Sequence, residues 1–263
     1  MEITVTTKLS VNLNKVALIR NSRDTVIPSV VEAAEIAIAA GAQGITVHPR
    51  PDQRHIRPGD VRDLSALLAQ EKYQDIEFNI EGNPYAGPEA GYPGFLELVN
   101  EVKPHQATLV PDDPTQLTSD HGWDLRGESN SLGKIIDSLK QDKIRVSLFM
   151  DPDVEQITRA AQIGSDRIEF YTGPFADHFP HHESILPAFI ESAKLASKLG
   201  LGLNAGHDLN LDNLGTFCGK VPRIDEVSIG HAIITDALWM GLSNAVQKYR
   251  RILNELENEN NLP

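Results

Sequence analysis

A single cysteine, Cys218, serves the whole chain of 263 residues. That leaves no disulfide framework and no thiolate cage for a metal, and it makes a reducing cytoplasm the simplest setting. Long apolar runs are also missing. None approaches the roughly 18 residues that span a bilayer, and the opening Met1-Glu-Ile-Thr-Val5 has neither a basic segment nor a signal-like apolar stretch. Positive charge is scarce, with Lys+Arg 24 against Asp+Glu 37 and a formal net charge of -13. The general surface field therefore disfavours nucleic acid and anionic membrane. No His-x-His or His-Glu-x-x-His spacing occurs, and candidate ligands come with cations that repel a divalent ion, so no metal is expected. No linker or shift in composition marks a boundary, which argues for one domain over residues 1–263.

What is present is the balance of a soluble globular protein, 40% hydrophobic and 23% charged. Lys8 to Leu13 alternates polar and apolar residues and reads as a strand ending near Asn12 to Asn14. Pro28 opens an apolar-periodic helix stopped at Gly41. Short strands follow at 44–47, 76–80, 107–110, 145–150, 166–170, 202–205 and 226–229. Helices are expected between them at 60–70, 94–102, 132–139, 151–163, 184–199 and 211–217. A helix from about 232 to 256 and a polar tail from Glu257 close the chain. Residues 111–130 are polar, turn-rich and longer than a tight connection, as is the stretch 174–183, so both read as loops. Eight strands alternating with helices over about 250 residues have the rhythm of an α/β (β/α)8 TIM barrel with additional helices. A doubly wound open sheet is the runner-up, but no glycine-rich dinucleotide turn follows the first strand.

In such a barrel the chemistry lies at the C-terminal ends of the strands. Those positions carry Asn12, Asn14 and Lys15; then His48 and Arg50; then Glu81; then Glu169; then His207 and Asp208; then Gly230 and His231. Titratable groups far apart in sequence thus recur at one end of most strands. An isolated histidine there is more often a cap or a loop partner. His48 and His207 each directly follow an apolar strand, which favours function. Glu81 is either a proton carrier or half of a salt bridge to Lys15 or Arg50. His121, His178, His181 and His182 fall in polar loops and read as surface.

Anion binding has its own signal. Gly206 and Gly230 permit close backbone approach, and Gly230-His231 leads into a helix N-terminus whose amides and dipole favour a phosphate. A second anion site is plausible around Arg50, Arg54 and His55, and Arg20 and Arg23, expected in the loop after the first strand, could serve either site. Two such sites fit a bisphosphate or two phosphorylated substrates.

Val11-Asn-Leu13, Ile19-Arg-Asn-Ser-Arg23, Gly44-Ile-Thr-Val-His-Pro-Arg50 with Arg54-His-Ile56, Val146-Ser-Leu-Phe149, Asn204-Ala-Gly-His207 and Ile229-Gly-His-Ala-Ile233 together resemble the pyridoxine 5'-phosphate synthase family, from about Leu9 to Tyr249. The resemblance implies a (β/α)8 barrel with added helices, assembled as an octamer built from dimers, that works without metal or organic cofactor. Its two phosphorylated small-molecule substrates would be 3-amino-2-oxopropyl phosphate and 1-deoxy-D-xylulose 5-phosphate. The products would be pyridoxine 5'-phosphate, inorganic phosphate and water. It also implies His48 and Glu81 as proton acceptors, His207 as proton donor and Glu169 as a stabiliser of transition-state charge. Asn12, Arg23 and Gly230-His231 would hold the aminoketone phosphate, and Arg50, His55 and Thr118 the sugar phosphate. Three positions depart from the family pattern. Asn14-Lys15 replaces Asp-His among the contacts to the sugar phosphate, Asp208 replaces the glycine after the strand-seven histidine, and Asp24 replaces the glycine after Arg23. Two rivals remain: an aldolase-type barrel using Lys15 as a Schiff-base amine, and a non-catalytic sugar-phosphate binding protein.

Overall fold

A computed structural model describes residues 6–23, 25–127 and 129–260. Among them, eight parallel strands close into a barrel in chain order: β1 (Lys8–Asn12), β2 (Gly44–Val47), β3 (Glu77–Gly82), β4 (Gln106–Leu109), β5 (Arg145–Met150), β6 (Arg167–Tyr171), β7 (Gly202–Gly206) and β8 (Glu226–Ile229). Closure comes from the β1–β8 pairing, in which Ser10 lies opposite Ser228. The fold is a (β/α)8 barrel, as the strand rhythm predicts.

Period-two alternation sends apolar residues outward. Leu9 and Val11, Ile45 and Val47, Phe78 and Ile80, and Ile168 and Phe170 are buried in the hydrophobic cluster formed with the surrounding helices. The alternate positions build a polar barrel interior. Ser10 Oγ and Thr46 Oγ1 are 2.7 Å apart, and Thr108 Oγ1 donates to Asn79 Oδ1 at 3.0 Å. Lower in the barrel Arg167 donates to Asn204 Oδ1 at 2.9 Å, and Asn204 Nδ2 donates to Glu226 Oε1 at 3.2 Å. Pairing offsets the cost of burying these groups.

The helices are α1 (Asn14–Asn21), α2 (Val30–Ala39), α3 (Pro58–Leu68), α4 (Phe95–Val102), α5 (Asn130–Gln141), α6 (Val154–Gln162), α7 (Gly173–His178), α8 (Leu186–Lys198), α9 (Leu214–Lys220), α10 (His231–Met240) and α11 (Leu242–Asn260). Four sequence expectations need correction. The stretch after β1 is α1 rather than loop, and its capping position, Leu13, offers no side chain to mark a start. Part of the 174–183 loop is α7, a helix of 6 residues. The closing helix is two helices, broken at Gly241, whose φ of 81 lies in the left-handed region that glycine tolerates. The polar tail does not begin at Glu257, because α11 runs on to Asn260. Asp24 lies outside the described residues, so its departure from the family pattern has no structural account.

Side-chain caps fix helix starts where the sequence supplies them. Ser29 accepts from Glu32 N at 3.2 Å ahead of α2, and Asp153 accepts from Glu155 N at 2.8 Å and Gln156 N at 3.3 Å ahead of α6. Asp153→Ala is expected to cost about 1 kcal/mol. The check is a lower urea midpoint at unchanged slope; an unmoved midpoint would show that the cap adds nothing.

Candidate active site

The C-terminal strand ends surround a cavity of about 370 Å³. Asn12, Asn14, Lys15, His48, Arg50, His55, Glu81, Thr118, Glu169, His207, Asp208, Gly230 and His231 all line it. Arg23 does not. It is exposed on the turn after α1, where its amide donates to the Arg20 carbonyl at 3.3 Å. Arg20, a candidate anion ligand by sequence, is instead committed to the scaffold. Its guanidinium pairs with Asp60 at the start of α3 and donates to the His55 carbonyl at 3.3 Å.

Backbone and side chain lock the first two strand ends together. Asn12 Oδ1 accepts from Asn14 N at 3.0 Å, Asn14 Oδ1 accepts from His48 N at 2.8 Å, and Asn12 Nδ2 donates to Glu81 Oε2 at 3.2 Å. Asn14 is therefore a strut between β1 and β2 as well as a lining residue. Asn21 Nδ2 reaches the carbonyls of Arg54 at 3.2 Å and His55 at 2.7 Å, which holds the turn after β2. Arg54 crosses to the 111–129 loop and donates to the carbonyls of Gln116 at 3.0 Å and Pro114 at 3.3 Å. It is a support for that loop.

Burial sets the charge states. His48 is held well below the ordinary histidine value, first by burial and then by Arg50, His55 and Arg54. His55 is pushed down to about 3 by burial, Arg50 and Arg54, and its Nδ1 accepts from Ile56 N at 2.9 Å. Both rings are neutral at pH 7. Glu81 is pushed up to about 8, first by burial and then by the charge of Asp112, although Ser228 donates to its Oε1 at 3.4 Å. Glu169 stands well above the usual carboxylate range through burial and the neighbouring Glu81 and Glu226, and its Oε2 has no hydrogen-bond partner among the described residues. The barrel mouth thus presents neutral histidines beside protonated carboxyls, a pairing suited to moving protons near neutrality.

His207 and Asp208 follow β7 with φ of 79 and 59. His207 Nδ1 lies 2.8 Å from Asp208 Oδ2, and Nε2 lies 2.8 Å from Thr118 Oγ1 on the 111–129 loop. The bond from His207 is the main reason that the Asp208 carboxyl sits below its usual range. The Asp208 carboxyl is therefore turned toward His207. Two glycines permit the close packing. A Cβ on Gly206 would come within 2.6 Å of Glu169 Oε1, and one on Gly230 within 3.0 Å of Asn12 Cβ. Gly230 also caps α10, and Gly230, His231 and Ala232 at that helix start line the cavity.

Three participants escape the sequence reading. Asp112 and Ser119 sit in the loop after β4, where an Asp-Asp pair after proline reads as turn chemistry. Ser228 had a usable signal: it lies two residues before Gly230 on an alternating strand, and therefore faces inward. No group of three or more His, Cys, Asp or Glu side chains among the described residues is arranged to hold a metal.

Residues 9–255 match the family described as "Pyridoxal phosphate biosynthesis protein PdxJ". Pyridoxine 5'-phosphate synthase of Xylella fastidiosa (strain 9a5c) is 53% identical over 252 residues, covering 95% of this chain and 96% of the relative. The enzyme of the same name from Xanthomonas oryzae pv. oryzae (strain PXO99A) is 53% identical over 251 residues, with 95% and 97% covered. Among solved structures, 3-keto-L-gulonate-6-phosphate decarboxylase from Vibrio cholerae O1 biovar El Tor str. N16961 superposes with TM-score 0.59 at 11% identity, covering 95% of this chain and 99% of that one. Tryptophan synthase from M. tuberculosis in its aminoacrylate-bound form gives 0.60 at 11% identity, with 94% of each chain covered. At that identity the likeness is one of fold.

Proposed function

Because the chain belongs to the PdxJ family of pyridoxal phosphate biosynthesis proteins, we propose that its cavity carries out the reaction for which those relatives are named. It joins 3-amino-2-oxopropyl phosphate to 1-deoxy-D-xylulose 5-phosphate and releases pyridoxine 5'-phosphate, inorganic phosphate and water. The observation that carries this reading is the meeting of acid–base groups and two anion-binding ends in one cavity. Gly230, His231, Asn12 and the start of α10 hold the aminoketone phosphate. Arg50, His55 and Thr118 hold the sugar phosphate, with Asn14 and Lys15 beside it. Arg23 would join the aminoketone site only after a movement of the turn that carries it.

The charge states give the steps an order. His48, neutral at pH 7, takes the first proton. Glu81 starts protonated, so it donates before it can accept. Glu169 stabilises developing charge as a neutral acid, and His207, oriented by Asp208, returns a proton to a departing oxygen. Turnover that needs protonated Glu81 as the first donor should fall as pH rises through about 8. A pH–rate profile checks this: Glu81→Gln should abolish that limb in the residual activity, and an identical limb in the variant would contradict the role.

A Schiff base between the two substrates leaves Lys15 uninvolved as an amine, although Lys15 lines the cavity. Borohydride added during turnover is expected to leave Lys15 unmodified by mass spectrometry; a reduced adduct there would favour the aldolase-type scheme. We also propose a cytoplasmic homo-octamer built from dimers. Solvent exposure of Trp239 (82%), Leu238 and Val26 in the single chain supports burial against further copies.

A further inference from the structure

His48 lies between two carboxyl groups that face opposite nitrogens of its ring. Glu81 Oε2 is 3.8 Å from Nδ1, and Asp112 Oδ2 is 3.7 Å from Nε2. Asp112 takes no part in the roles proposed above, yet it is anchored at both ends. Asn83 Nδ2 donates to its backbone carbonyl at 2.8 Å. Ser119 Oγ donates to Oδ2 at 2.9 Å, and the Arg50 guanidinium pairs with the same oxygen. With its side chain 4% exposed, this carboxylate acts on its neighbours through protein rather than water.

We infer that Asp112 is a positioning residue that keeps the proton of neutral His48 on Nε2, so that the Nδ1 lone pair points toward Glu81 and the substrate, while the same oxygen fixes Arg50. This rests on the reading of His48 as a base. A neutral imidazole carries one proton, and the groups facing each nitrogen decide where it sits. An ionised carboxylate can only accept, so Asp112 favours a proton on Nε2. Glu81 carries its own proton near neutrality and places no full charge opposite Nδ1. The other groups around the ring, Arg50, Arg54 and His55, disfavour a second proton on it. One oxygen therefore links the guanidinium proposed to grip the sugar phosphate to the base that begins the reaction. Orientation of a base by a buried carboxylate works in this way in hydrolytic triads.

Neutron diffraction from the ligand-free, deuterium-exchanged protein near pH 7 reads the tautomer directly and needs no variant. A deuteron on Nε2 alone is the expected result; one on Nδ1, alone or with a second on Nε2, would overturn the inference. Asp112→Asn supplies an independent readout, because an amide can present N–H or oxygen to the ring and loses the bias. Its kcat is expected to fall about 10²-fold or more, with KM for 1-deoxy-D-xylulose 5-phosphate raised as well because Arg50 loses its anchor. Retained kcat with a raised KM would mean that Asp112 merely supports the loop. The two failures are separable. Full turnover in His48→Ala sinks the reading of His48 as a base, whereas a deuteron on Nδ1 in a protein that needs His48 sinks only the assignment of Asp112.

Discussion

His48→Ala and Glu81→Gln are each expected to lower kcat by about 10²–10⁴-fold, the range for loss of a positioned acid or base. Both substrates should still bind, because the groups proposed to hold the phosphates are other cavity residues: Arg50 and His55 after β2, and Gly230 and His231 after β8. Burial first, and the neighbouring cations second, keep His48 neutral at pH 7, with a ring lone pair free. Glutamine at position 81 keeps the contact from Asn12 Nδ2, which is 3.2 Å from Oε2, but can carry no proton. Single-turnover kinetics with binding measured separately checks this; near-normal chemistry in either variant would refute its role.

Arg50→Ala should cost about 3–5 kcal/mol of stability, because it leaves the Asp112 carboxylate buried without its cation. The pair is well shielded, with side chains 6% and 4% exposed, so solvent offers little relief. A partner replacement distinguishes pairing from packing. Arg50→Met combined with Asp112→Leu removes both charges and should recover most of the loss. Urea denaturation reads both; a single variant within about 0.5 kcal/mol of the parent would show that the pair contributes little. The single variant should also lose sugar-phosphate binding if Arg50 holds that phosphate as proposed.

Much of the fold was legible because the strands alternate. Ser10-Val11-Asn12, Asn79-Ile80-Glu81 and Glu169-Phe170-Tyr171 each send an apolar residue out to the helices and polar ones into the barrel. Strand ends and the site follow from that register, since the acids and bases sit where each strand stops. Helix α1 was not legible: eight residues starting after Leu13 carry no cap signal, so Arg20 looked like a free cation rather than the buried partner of Asp60. Asp112 was hidden for a different reason. Its importance lies in contacts to Arg50, Ser119 and His48, of which only Ser119 is close to it in sequence, and a loop has no periodicity from which such contacts can be read. Asp208 could be flagged beside a phosphate site, but only the left-handed backbone at 207 and 208 shows that its charge turns to His207.

The central claim is that one cavity binds two phosphorylated substrates and converts them by acid–base chemistry. Purified protein incubated with 3-amino-2-oxopropyl phosphate and 1-deoxy-D-xylulose 5-phosphate, with no added metal or cofactor, tests it most directly. Pyridoxine 5'-phosphate and inorganic phosphate should appear in equal amounts, and neither should form when one substrate is left out. Binding of both substrates by folded protein without either product would contradict the account.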